Sequence, residues 1–291
     1  MQKIVFVLCE GPHDVAFLYR ILKTIGFTNY PEKIKNFPPP INKFISEVVK
    51  SIAIDEMKLD EIRSRPIPSE VLVSLNNALF LLYSVHGDSK KPVRQEIMKL
   101  LLAWIPPDPD AITPPGDNDL SILYFFDADE KGIGRRLAQI KQEIAEFLGF
   151  SIPADDFQHN GSLYKLNNIT YGAYVFARDE GKGKLEDILL PLMKMGNEDI
   201  FEKAEEYLQL KDDDRLRKLE LQEEKGKIRE DRTGDAMRFD LSKSEICVAG
   251  QLQNSGKSNV VIIKDCDYLT LDKITTSSKC QEIVEFFKKV L

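Results

Sequence analysis

Two short acidic motifs, each set directly behind an apolar run, constrain this chain more than any other feature. Glu10-Gly11-Pro12-His13-Asp14 follows the run at 4–8, and Asp127-Ala128-Asp129 follows the run at 122–126. Both runs are rich in β-branched, aliphatic and aromatic residues between polar flanks, the composition of short buried strands. Both motifs therefore fall at the C-terminal ends of strands. In an open α/β sheet that edge is where ligands bind. Carboxylates meeting there repel: two of them about 4 Å apart cost roughly 4 kcal/mol at an effective dielectric near 20. Such a cluster takes up protons or recruits a cation. Hard oxygen donors without thiols select Mg²⁺ or Mn²⁺.

The flanking pattern predicts an α/β fold. Pro12 suits the first turn of a helix running to about Ile25, with Val15, Leu18, Ile21, Leu22 and Ile25 at three- and four-residue steps and Gly26 as its stop. A second helix is expected over 134–147, strands over 163–166 and 171–176, and a short helix over 185–193. Further on, 240–252 reads as a helix, 260–263 as a strand and 278–290 as a terminal helix. The stretch 197–232 is charged and helix-favouring, thin in apolar residues from Leu216 onward. Asp212-Asp213-Asp214 within it reads as a solvated turn, because no apolar strand precedes it. Residues 36–118 read as an all-helical insertion, with candidate helices at 41–54, 68–85 and 92–104. The middle one is apolar on most faces and is expected to be buried or to form a homodimer contact. The α/β domain is thus discontinuous, 1–35 and 119–291.

The strand-end residues resemble the Toprim fold, most closely the standalone Toprim-like proteins related to the OLD-family nucleases. The family pattern is a Glu after the first strand and an Asp-x-Asp after a later one, matched here by Glu10 and by Asp127 with Asp129. Asp14 strengthens the OLD-like reading. Leu185-Glu186-Asp187, behind Gly181-Lys182-Gly183-Lys184, is similar to that subgroup's downstream Leu-Glu segment, and Lys243 matches its late lysine-bearing helix. The resemblance implies a Rossmann-like, mostly parallel sheet flanked by helices. It also implies Glu10, Asp14, Asp127, Asp129 and Glu186 as ligands of Mg²⁺ or Mn²⁺, with Glu10 and Lys243 as catalytic groups. The implied activity is nuclease-type cleavage of nucleic-acid phosphodiesters, DNA or RNA. A non-catalytic metal- or nucleotide-binding or protein-interaction module, or primase-like nucleotidyl transfer, is the alternative. No ATPase segment accompanies the Toprim-like part.

Composition limits the partners. A net charge of −7 repels polyanions at long range, so nucleic acid is not held by bulk electrostatics. Local basic groups do occur: Lys90, Lys91 and Arg94; Lys131, Arg135 and Arg136; Lys182 and Lys184. Each taken alone reads as ordinary solvated charge. Within the first motif, His13 reads as a solvent-facing residue of the first helical turn. The four cysteines, Cys9, Cys247, Cys266 and Cys280, form no Cys-x-x-Cys pair, which argues against structural zinc and fits a reducing cytoplasm. No stretch reaches the roughly 18 apolar residues of a membrane span. Gly256-Lys257-Ser258 is not a phosphate loop, since its spacing from Gly250 is one residue too long and a strand is expected to follow.

Overall fold

The apolar runs flanking both acidic motifs are strands at the centre of one sheet. The computed structural model describes residues 2–39, 41–50, 66–85, 87, 90–102, 118–149, 152–153, 157–166, 169–212, 219–224, 226–232 and 240–291. Contacts divide the chain into two units, Met1–Ile188 with Leu271–Leu291, and Leu189–Thr270.

In the first unit, a seven-stranded sheet has the order β2-β3-β4-β1-β5-β7-β6. Its middle is parallel: β1 (Gln2–Cys9) lies between β4 (Leu79–Ser84) and β5 (Asn118–Asp127), and β5 pairs with β7 (Ile169–Phe176). Antiparallel strands close both sides: β2 (Thr28–Asn29) and β3 (Glu70–Val73) beyond β4, and β6 (Ser162–Leu166) beyond β7. Parallel strands covered on both faces read as unbroken apolar runs, which is why 4–8 and 122–126 stand out in the sequence.

Alternating side chains of these strands feed two cores. Phe6, Tyr83, Tyr124 and Tyr171 pack with residues of α2 (Ile41–Lys50), α3 (Lys91–Leu102) and α4 (Ile133–Leu148) in a single cluster. On the opposite face, Phe80, Phe125 and Phe176 meet Phe17 of α1 (Pro12–Thr24) and Phe286 and Phe287 of α10 (Ser278–Lys288). Burying a side chain of this size contributes about 1.5–3 kcal/mol, so these two layers hold the sheet. The architecture is a mixed α/β fold, a mostly parallel sheet flanked by helices, as the motifs led one to expect.

The region 36–118 departs from that expectation. It is not all-helical: α2 and α3 form, but residues 70–84 make the β3–β4 hairpin, and β4 is the strand next to β1. A continuous apolar run such as 79–83 does not reveal its period. The deciding signal is the turn at 74–78, where Asn77 takes φ 62° and the Ala78 amide donates to Ser74 Oγ at 3.0 Å. Part of the helix expected at 41–54, from 51 on, and its neighbour's end at 103–104 lie outside the described residues.

The second unit contains the C-terminal part of α5 (Leu185–Lys194), α6 (Glu198–Leu208), the hairpin β8 (Leu219–Glu224) and β9 (Lys227–Arg232), α7 (Leu241–Gly250) and α8 (Asn259–Asp265). Two expectations fail there. The helix-favouring stretch after 216 is a hairpin, and the strand expected over 260–263 is α8. Ile262 and Ile263 are fully buried, and a side chain on Gly250 would collide with Ile262. Tertiary packing of the β-branched run outweighs its strand preference. Gly250 serves this close approach of α7 and α8. Of the aspartate triplet, Asp212 ends a short 3₁₀ turn and the other two lie outside the described residues. The short helix α9 (Leu271–Thr276) returns the chain to the first unit.

Candidate carboxylate site at the strand ends

Parallel pairing puts the C-terminal ends of β1 and β5 side by side, with Cys9 opposite Phe125. The ladder runs one step further, the Glu10 amide donating to the Phe125 carbonyl at 3.1 Å. The two acidic motifs thus meet although 117 positions separate their leading residues: the Asp127 amide donates to Glu10 Oε2 at 3.2 Å. Asp14 enters from the first turn of α1, where Pro12 opens the helix, and its Oδ2 accepts the Gly11 amide at 2.7 Å. Glu186 enters from the first turn of α5. That turn is tied to β5 directly, because the Leu185 amide donates to Asp127 Oδ1 at 2.8 Å.

Burial and mutual repulsion dominate the electrostatics. Asp14 is 4% exposed and Glu186 2%. Burial pushes the Asp14 carboxyl well above its ordinary range, reinforced by the charges of Asp127, Glu10 and Glu186 and opposed by the Gly11 amide. Burial likewise pushes Asp127 up to about 8; Glu10, Glu186 and Asp129 add to the rise, and the Leu185 amide opposes it. Carboxylates from two strand ends and two helix first turns thus act on Asp14 and Asp127.

Asp129 is placed differently from the others. A strand continuing past Asp127 would send both aspartates to one side, but Asp129 takes φ 48° and leaves the strand. Its backbone forms a bridge with Gly183, with bonds of 2.7 and 3.0 Å. Asp tolerates this left-handed conformation better than most residues. Its carboxylate, 48% exposed, accepts from Arg136 Nη2 at 2.6 Å. The buried Arg136 also donates through Nε to the Asp127 carbonyl at 2.7 Å. The solvated reading of Arg136 is therefore overturned: one guanidinium fork joins both members of the Asp-x-Asp pair. Its position on the first turns of a helix directly behind that motif was the available signal. His13 also departs from expectation, since its Nδ1 lies 3.2 Å from Glu186 Oε1 and its side chain is only 19% exposed. Lys184 Nζ stands 4.0 Å from Glu186 Oε2 at the rim.

Lys243 belongs to the second unit. It lies in the first turn of α7, half-exposed; Asp240 caps that helix by accepting the Lys243 amide at 3.1 Å, and the Lys243 Nζ lies 3.8 Å from Asp240 Oδ2.

Oxygen donors, with Asp14 and Glu186 buried among them, suit a hard divalent cation. Glu10, Asp14, Asp127, Asp129 and Glu186 are the residues that could hold it. Among the described residues, no three carboxylate, imidazole or thiol groups already converge as metal ligands. Oxygens of Asp14, Asp127 and Asp129 accept from the Gly11 amide, the Leu185 amide and Arg136.

The site and fold define an α/β protein with a buried carboxylate cluster at its strand ends. The chain belongs to the family described as "Protein of unknown function (DUF3226)", whose model matches residues 118–291. No curated protein matches it. A crystal structure of a hypothetical protein from Pyrococcus horikoshii OT3 is similar at 15% identity, covering 100% of this chain and 95% of that one, with a TM-score of 0.49. Among the described residues, no helix is long and apolar enough to cross a membrane.

Proposed function

We propose that the chain is a Toprim-like, metal-dependent phosphodiester-cleaving enzyme acting on nucleic acid, with the strand-end carboxylates as its centre. The observation that carries this reading is the meeting of buried Asp14 and half-buried Asp127 with Glu10 and Glu186: burial holds both aspartates above the ordinary carboxylate range, and the charges of Glu10 and Glu186 add to the rise at each. Placing that much negative charge under cover is costly for a fold unless a cation completes it. Mg²⁺ or Mn²⁺ bound there would supply charge neutralisation at phosphorus and a stabilised leaving oxygen. Glu10, Asp14, Asp127, Asp129 and Glu186 would hold it. Arg136 keeps Asp129 and the Asp127 carbonyl in register for the task. Lys184 at the rim, and Lys243 in the role that the family resemblance implies, would offset charge on the phosphate.

Incubating single- and double-stranded DNA and RNA with the protein and Mg²⁺ or Mn²⁺ tests the reading. Cleavage that chelator abolishes and that Asp127→Asn lowers by about a hundredfold or more is expected, the size of losing one electrostatic centre. Equal cleavage by the variant, or none by the wild type, removes the proposal.

One observation favours a second reading. Oxygens of Asp14, Asp127 and Asp129 are already satisfied by protein donors. A module that binds a metal or nucleotide without turnover, or transfers a nucleotide, would use the same residues. Calorimetric Mg²⁺ binding without strand cleavage, or incorporation of labelled nucleotide, would establish that alternative.

A further inference from the structure

The segment 10–14 carries two carboxylates of the cluster, Glu10 and Asp14, with His13 between them. Pro12 and His13 are the first two residues of α1, so the imidazole projects from the opening turn of that helix. Its Nδ1 lies 3.2 Å from Glu186 Oε1, a contact that spans 173 positions in sequence. The first turn of α5 is thereby latched twice: Leu185 through its amide to Asp127 of β5, and Glu186 through its carboxylate to His13 of α1.

The burial of Glu186 is what needs a cause. A carboxylate in the first turn of a helix is favoured by the helix dipole, but that attraction does not require leaving solvent. The Glu186 side chain is 2% exposed all the same, against 19% for His13. It also lies close enough to Asp14 and Asp127 that its charge adds to what burial does to both, resisting their ionisation. Repulsion of that kind drives a carboxylate outward. A donor from α1 opposes the drive. Lys184 Nζ, 4.0 Å from Glu186 Oε2, is too far for a hydrogen bond to that oxygen. An ionised carboxylate only accepts, so in the contact Nδ1 carries the proton.

We propose that His13 is a positioning residue: its Nδ1–H holds Glu186 inward among the other carboxylates, where it would take its share of a divalent cation. This role rests on the metal reading above and adds to it the group that sets the place of one ligand. Partners that orient metal ligands in this way typically govern affinity by about 10- to 100-fold.

Mn²⁺ titration calorimetry on the full chain tests this with wild type, His13→Ala and His13→Asn, the last keeping an amide donor near the Nδ1 position. His13→Ala is expected to weaken Mn²⁺ binding by about 10- to 100-fold, and His13→Asn to recover most of that loss. In a Glu186→Gln background His13→Ala should weaken it little further, because both act through one carboxylate. Thermal melts in chelator establish which variants are folded. Two spectra need no variant: electron spin echo of bound Mn²⁺ should show no imidazole nitrogen on the ion, and imidazole ¹⁵N resonances of the metal-free wild type should show the proton on Nδ1. Unchanged affinity in folded His13→Ala, equal losses in His13→Ala and His13→Asn, a full further loss in the Glu186→Gln background, nitrogen bound to the ion, or the opposite tautomer each overturns the proposal and leaves the carboxylate site standing. A wild type that binds neither Mn²⁺ nor Mg²⁺ removes the metal reading and the role of His13 with it.

Discussion

Two sets of buried charges sit within the same unit and differ in one respect. Arg94 and Glu143, 3% and 10% exposed, neutralise each other through a bidentate pair. Asp14 and Asp127 are both acidic; burial makes each harder to ionise, and so do the charges of Glu10 and Glu186. The first set is complete as it stands and serves the packing of α3 against α4. The second is balanced only in part, by the Gly11 and Leu185 amides and by Arg136 on the neighbouring Asp129. Charge balance, more than burial, separates a structural ion pair from a candidate site here.

Four measurements would break or sharpen this contrast. The largest effect is expected from Glu143→Gln, which strands a buried guanidinium and should cost about 3–5 kcal/mol in denaturant unfolding. A loss under about 1 kcal/mol would erase the distinction. Second comes pH. Between the ordinary carboxylate range and about 8, folded Asp127 keeps a proton that the unfolded chain has released. The folded state then binds more protons, so metal-free stability should fall as pH rises through that window, by at most about 1.4 kcal/mol per pH unit for one group, and level off above it. Mg²⁺ added at pH 8 should restore stability by mass action. Asp127→Asn should flatten the pH slope in thermal melts; an unchanged slope would locate the proton elsewhere. Third, Asp14→Asn in chelator should leave stability unchanged or raise it by about 1 kcal/mol, opposite in sign to Glu143→Gln, because it removes repulsion. Destabilisation would mean that Asp14 is structural. Smallest is Lys182→Ala: its partner Glu130 is 88% exposed, and the pair should contribute less than about 1 kcal/mol to unfolding.

Much of the central sheet was legible because doubly covered strands leave no room for polar residues. The run at 122–126, the glycine after α1 and the helical stripe of α4 each pointed one way. The β3–β4 hairpin was not, since Leu79-Phe80-Leu81-Leu82 fits a buried helix as well as a strand, and only pairing with β1 decides between them. At 260–263 local preference favoured a strand, and the close approach of Ile262 to Gly250 prevailed. For the site, the order of acidic residues led to Glu10 and Asp127, which the fold does bring into contact. The roles of Arg136 and His13 were hidden, because each depends on the direction of one side chain toward a carboxylate distant in sequence or across a turn.

The position of β1 has a consequence for how the chain assembles as it leaves the ribosome. Its two neighbours are β4, from residue 79, and β5, from residue 118. β1 must wait unpaired until β4, whose pairing begins at Leu79, has emerged, and gains its second neighbour only with β5. Parallel pairings that distant close slowly, since the intervening loop loses its freedom before any contact forms. Until then an apolar segment is bare, and nascent chains stalled before β4 should be the ones that chaperones capture and that aggregate.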